Sequence, residues 1–169
     1  GLSDVWHRMK KNKPAMAGLV IITIFILAAI FADLIADFDT LVVAQNTAIR
    51  LQPPNAQHWF GTDGYGRDIF ARVVHGARVS LSIAFLTTAV SSLAGGLLGS
   101  AAGYYGGKVD NVIMRIIDTI MCLPPMLFSL SIVAALGAGM RNLIIAVSVT
   151  MTPYFTRVVR ASILTVVGS

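Results

Sequence analysis

Apolar and polar positions alternate along the chain in long blocks, not residue by residue. Four apolar runs, at residues 15–36, 79–102, 110–136 and 143–160, are separated by short polar stretches. A helix rises about 1.5 Å per residue, so about 20 apolar residues cross the hydrocarbon core of a bilayer. The runs predict four transmembrane helices in an all-α integral membrane protein. Between them lie a basic N-terminus at 1–14, a polar loop at 37–78, turns at 103–109 and 137–142, and a last segment at 161–169. Basic residues precede the first run, as in a secretory signal. The run is too long for one, and no Ala-x-Ala cleavage site follows it.

The loop has two parts. Residues 37–57 carry Pro53-Pro54 and read as irregular chain. Residues 58–78 are the most glycine-punctuated stretch outside the spans. Gly61, Gly64 and Gly66 suit a tight turn. Thr62 or Asp63 is placed to cap a short helix beginning near Tyr65. Ile69, Phe70, Val73 and Val74 would share its apolar face, leaving Arg67, Asp68, Arg72 and Arg78 to the wet side. The expected element is a short amphipathic helix on the membrane surface that hands over to the second span.

Within the spans the spacing carries more detail. Ser91, Gly95, Gly99, Gly103 and Gly107 recur every four residues. Ser80, Ala84, Thr88, Ser92, Gly96 and Ser100 form a second row beside them. Such small-residue faces let helix backbones approach closely in lipid. In the third span Asn111, Arg115, Asp118 and Cys122 share a face. Arg115 and Asp118, three apart, are expected to pair. Two readings of this stripe stand: an ion pair among the headgroups, or groups facing a cavity or another subunit. Pro124-Pro125 removes ladder hydrogen bonds and should kink or break that span, and Pro153 should kink the fourth. Cys122, beside Pro124, is expected to be a buried packing residue.

Composition then narrows the function. Only 12% of residues are charged, against roughly a quarter in soluble domains. The net charge of +5 therefore does not point to nucleic acid. Lys10, Lys11, Lys13 and Lys108 all fall on the side that the positive-inside rule makes cytoplasmic. That puts the N-terminus and the 103–109 turn inside and the 37–78 loop outside. His7, His58 and His75 lack metal-site spacing. Ser80 and Ser91 lack a histidine–carboxylate partner set. Gly103-Tyr-Tyr-Gly-Gly-Lys108 fails as a phosphate loop, because Val109 stands where Ser or Thr is required. No enzyme and no cofactor is expected on this chain.

One ordered set of motifs runs through the whole chain: Trp59-Phe-Gly-Thr-Asp-x-x-Gly-Arg-Asp68, Gly76-Ala-Arg-x-Ser-Leu81, Gly103-Tyr-Tyr-Gly-Gly-x-x-Asp110, Met114-Arg-x-x-Asp118 and Pro124. It resembles the C-type permease subunit of dipeptide/oligopeptide (peptide/nickel) ABC importers, in the binding-protein-dependent transport permease family. The resemblance implies part of a type I importer permease fold in the bacterial inner membrane, forming the path for peptides delivered by an extracytoplasmic binding protein. It also implies a homologous permease partner, in a heterodimer, and two cytoplasmic ATPase subunits that hold the ATP. Gly61, Thr62, Asp63, Gly66, Arg67 and Asp68 would be the extracytoplasmic motif. Gly95, Gly99 and Gly103 would pack helices, and Asn111, Arg115, Asp118 and Pro124 would face the path or another subunit. The family's Glu-Ala-Ala coupling loop is expected beyond Ser169. Nickel or sugar cargo, or a non-transport membrane scaffold, are the alternatives to peptide import.

Overall fold

A computed structural model describes residue 7 and residues 9–167. Residues 1–6 and 8 of the basic lead at 1–14 lie outside the described residues, as do 168 and 169. The described chain is helical, in the order α1 (Lys13–Ile30), α2 (Ala32–Ile35), α3 (Ile69–Tyr105), α4 (Gly107–Met121), α5 (Pro125–Leu136) and α6 (Met140–Val167). Helices α1, α3 and α6 are long and apolar enough to cross a membrane. Helices α4 and α5 together make a fourth such stretch, bent by 88° at the break between them. The chain is an all-α membrane protein. Of the 18 residues of α1 only Ala29 is buried, and none of α5 is. Apolar side chains left outward cost nothing where the solvent is hydrocarbon.

The residues divide into two units, Gly1–Ser82 and Ile83–Ser169, and α3 contributes to both. In the first, Asn12 caps α1 through its side chain, with Pro14 in the first turn. The stretch expected to be irregular is more ordered than that. Asp37 accepts from the Thr40 amide (3.0 Å) and hydroxyl (2.6 Å) and starts a π-helical turn at Phe38–Val43. A 3₁₀ turn follows at Thr47–Ile49.

Two boundaries differ from expectation for the same reason. No separate amphipathic helix lies before the second span: α3 runs unbroken over 37 residues. Between Asp68 and Val79 the one glycine is Gly76, and a single glycine costs a helix about 1 kcal/mol, too little to end it. The change from mixed to apolar residues at Val79 marks a change of surroundings, not of backbone. The buried residues of the first turns are Ala71, Val74 and His75, while Val73 is 52% exposed. Likewise the 103–109 turn shrinks to a single break at Gly106, whose φ of +59° a side chain would resist.

In the second unit, Pro125 opens α5 as its first residue, which suits a ring that has no N–H to offer. Gly137 (φ +94°) ends it, and Asn142 Nδ2 donates to the carbonyls of Leu136 (3.0 Å) and Gly137 (2.9 Å). Otherwise those carbonyls would be orphaned at the helix end. Helix α6 starts at Met140 and passes through Pro153 without ending. It also runs past residue 160, where the fourth span was expected to stop. Both α4 and α5 pack against it.

Candidate functional sites

The first candidate site lies in the first unit and is built on two aspartates. Asp63 Oδ1 accepts from the backbone N–H groups of Tyr65 (2.8 Å) and Arg67 (3.0 Å). Its Oδ2 accepts from Arg67 Nε (2.8 Å) and Arg72 Nη1 (2.7 Å). Burial alone would raise this carboxyl's pKa. The Arg67 and Tyr65 amides, with the Arg67 side chain, outweigh burial and hold it down at about 2. The Arg67 guanidinium also lies 4.7 Å from the centre of the Tyr65 ring.

Asp68 is 6% exposed and joins loop to helix. Its Oδ1 accepts from the Ala71 N–H (2.8 Å), so Asp68, and not Thr62 or Asp63, caps the helix. Its Oδ2 meets His58 Nδ1 at 2.7 Å. Thr62, 3% exposed, donates its hydroxyl to the Ile49 carbonyl and accepts from the Gln52 N–H (2.9 Å). Gly61 and Gly66 both have φ +74°; a Cβ would sit 2.3 Å from the Gln52 carbonyl oxygen and 1.7 Å from that of Asn46. These six residues meet in one knot: five hold or admit backbone, and Arg67 serves the Asp63 carboxylate. On its outer side Phe70 packs against Trp59 and Phe60, with ring centres 5.1 and 5.3 Å away.

Two groups from α3 tie this knot to the end of α1. Arg78 Nε donates to the Ala29 carbonyl (2.8 Å), and its Nη2 to the Ile30 carbonyl (3.2 Å) and Asp33 (3.0 Å). A guanidinium suits the carbonyl end of a helix, both as donor and as charge. His75, 7% exposed, donates from Nε2 to the Ala36 carbonyl (2.8 Å) and stands edge-on to Phe38. Sequence reasoning placed Arg78 on the wet side and missed both roles. The partners lie about 40 residues or more away, beyond any local pattern.

The second candidate site lies in the second unit, where α3 meets α6. A Cβ on Gly95 would come within 2.5 Å of Phe155 Cβ, on Gly99 within 2.6 Å of the Thr156 carbonyl oxygen, and on Gly103 within 2.9 Å of Ile163. Ser91, fully buried, donates to the Ser148 carbonyl at 3.1 Å. One small-residue row thus lies directly on a neighbouring backbone. Gly96, in the second row, has open space around it.

Two ion pairs join α4 to α6. Arg160 grips Asp110 with two nitrogens (2.5 and 2.6 Å), and Arg157 meets Asp118. The expected Arg115–Asp118 pair is therefore replaced by one across helices. Asn111, Arg115, Asp118 and Pro124 are all exposed on this chain. Cys122, at the end of α4, is exposed too, contrary to the packing role expected of it. At the break, Met121, Leu123, Phe128, Met151 and Tyr154 help line an apolar hollow of about 180 Å³.

Comparison with known proteins adds a family to this geometry. Residues 2–54 match the family described as the N-terminal TM domain of oligopeptide transport permease C. Residues 95–169 match the binding-protein-dependent transport system inner membrane component. The dipeptide transport system permease protein DppC of Alkalihalophilus pseudofirmus is 44% identical over 95% of this chain and 52% of its own length. The chain belongs to this permease family. The DppC of Bacillus subtilis is 38% identical over 95% of this chain and 50% of its own length. The oligopeptide transport system permease protein OppC of the same organism is 38% identical over 95% and 52%. The chain spans about half the length of the curated relatives it matches. Within the permease chain, the glycine row at 95–103 and both ion pairs fall in the second matched segment. The Asp63–Asp68 knot falls between the two.

Proposed function

We propose that this chain belongs to a permease subunit of an ATP-driven importer, and that it helps to form the path by which di- and oligopeptides cross the inner membrane. The observation that carries this reading is similarity along nearly the whole chain to permeases named for dipeptide and oligopeptide transport. The helix bent by 88° supports it. Broken helices within a bilayer are tolerated where they are covered by protein or line a cavity. We assign Asn111, Arg115, Asp118 and Pro124 to the path or to a subunit contact, because exposed ionisable groups on a spanning helix are costly against lipid. Gly61, Thr62, Asp63, Gly66, Arg67 and Asp68 hold a rigid extracytoplasmic platform for the binding protein. The partners are a homologous permease, two cytoplasmic ATPases that carry the ATP, and that binding protein. The N-terminus and Lys108 lie in the cytoplasm.

Orientation is tested by single cysteines at Asn55 and Lys108, in a Cys122→Ser background, probed with an impermeant thiol reagent in intact cells. Position 55 should label and position 108 should not; the reverse inverts the topology. Transport is tested by reconstituting the complete permease with its partners, ATP and labelled dipeptide. ATP-dependent uptake is expected, and uptake of nickel or a sugar instead would reject peptide cargo.

A further inference from the structure

Helix α4 is a short rod set between two breaks. At one end Gly106 and Gly107 both have positive φ, +59° and +50°. At the other the helix stops at Met121, and α5 leaves at 88°. A rod joined to its neighbours through breaks can turn about them, so its fastenings decide where it rests. The two fastenings of α4 to α6 are unequal. Near the glycines Asp110 takes two nitrogens of Arg160, a fork grip that fixes angle as well as distance. Eight residues on, about 12 Å along the helix, Asp118 takes one nitrogen of Arg157. Asp118 also has a second cation within reach. Arg115 stands three residues before it, and side chains three apart on a helix are neighbours, with Cβ atoms about 5–6 Å apart. Among the described residues no hydrogen bond or ion pair engages the Arg115 side chain. One carboxylate thus stands between two guanidiniums, one on its own helix and one on α6. The two pairings are alike in chemistry and differ little in free energy, and arrangements that differ little are both populated.

We propose that Asp118 is a two-position latch: bonded to Arg157 it holds the end of α4 on α6, and bonded to Arg115 it lets that end swing away. The Asp110–Arg160 pair stays closed in both positions and serves as the pivot. The carboxylate keeps a cation in each position, so the exchange never leaves it bare. The apolar hollow lies at the end of α4 that moves most. Ile120, Met121 and Leu123 line it from the α4 side, and Phe128, Met151 and Tyr154 from α5 and α6. With the latch on Arg157 the hollow holds about 180 Å³. Release draws the first wall from the second and enlarges it. The latch is a property of α4 and α6, and it acts whatever the cargo is.

The test uses the complete permease with its partner subunits in lipid nanodiscs, with no cysteine but the labelled pair. Spin labels at Thr119→Cys and Val158→Cys span the latch end. Labels at Val112→Cys and Ala161→Cys span the pivot end. Pulsed electron–electron resonance reads the distances within each pair. The latch pair should give two distances and the pivot pair one. Arg115→Gln should raise the ratio of the shorter to the longer latch distance about threefold, and Arg157→Gln should lower it about threefold, the scale on which a single ion pair acts. In both variants the pivot pair should keep its distance, which also reports a folded chain. A ratio that Arg115→Gln leaves unchanged overturns the proposal, because Asp118 would then belong to Arg157 alone. A single latch distance in all three proteins overturns it as well. So does equal movement of the two pairs, which would mean that α4 leaves α6 as a whole.

Discussion

The two units of this chain hold themselves together by opposite means. In the first, charged and hydroxylated side chains hold the backbone: Asp63 and Asp68 fasten the turn and the helix start locally, while Thr62, His75 and Arg78 reach segments farther off in sequence. In the second, the closest contact is made by the absence of side chains, where Gly95, Gly99 and Gly103 admit the backbone of α6. The difference follows from the solvent. A loop outside the hydrocarbon has water to compete with and must satisfy an irregular backbone, which polar side chains do. Two spanning helices already satisfy their own backbones and gain from close packing.

The comparison can be broken at its strongest point. Gly99→Leu should cost about 3 kcal/mol, since the added side chain meets the Thr156 carbonyl. Gly96→Leu, with open space, should leave the chain's own stability nearly unchanged. Unfolding by denaturing detergent from mild micelles measures both. Equal losses would mean that the row is not the contact. Next in size, Gly66→Ala forces a side chain into a left-handed conformation, costing about 1–2 kcal/mol before any clash with Asn46. Gly64→Ala, at ordinary φ and in open space, should be mild. Proteolysis of the loop reads this pair: rapid cutting is expected in the first variant only, and intact loops in both would remove the Asn46 contact from the account.

Acid sharpens the contrast further. The Asp63 carboxyl titrates at about 2 in the fold against an ordinary 3.8, so its stabilisation is complete above 3.8 and lost as pH falls through about 2. Pepsin cleavage of the loop should therefore rise between those values in the native chain. In Asp63→Asn the same rise should be absent, with cleavage already high above them. No acid-dependent difference between the two would remove the charge from the knot.

The smallest effects should come from the ion pairs of the second unit. Asp110→Asn, losing a two-nitrogen grip at partly buried groups, should cost about 1 kcal/mol. Asp118→Asn, at groups about half exposed, should cost under about 0.5 kcal/mol. Reversing the second pair, with Asp118→Arg and Arg157→Asp, should recover what either single change loses in detergent stability. Recovery by reversing Arg115 in place of Arg157 would restore the local pair that the spacing suggested.

What was legible in the sequence divides along the same line. The glycine row could be read because its cause is periodic and local to one helix. The break at Pro124 could be read because proline acts on its own backbone. The partner of Asp118 could not: Arg115 is three residues away in the pattern, while Arg157 arrives only when α4 folds onto α6. The helix start was misplaced because Thr62 and Asp63 are good caps in isolation, yet their oxygens accept from Gln52 and from Tyr65 and Arg67 inside the loop, leaving Asp68 for the Ala71 amide. Polar side chains that bridge distant segments leave no periodic trace, so the knot showed its residues but not its connections.

The central claim is that the small-residue face of α3 lies directly on α6. Cysteines replacing Ser91 and Ser148, in a Cys122→Ser background, test it most directly, with a protease site inserted at Gly137–Gly139 between α5 and α6. After oxidation in native membranes and cleavage, the two fragments should migrate together without reductant and separate with it. Fragments that separate under oxidising conditions, while each single-cysteine chain is folded and cleaved normally, would place the two helices apart and contradict the account.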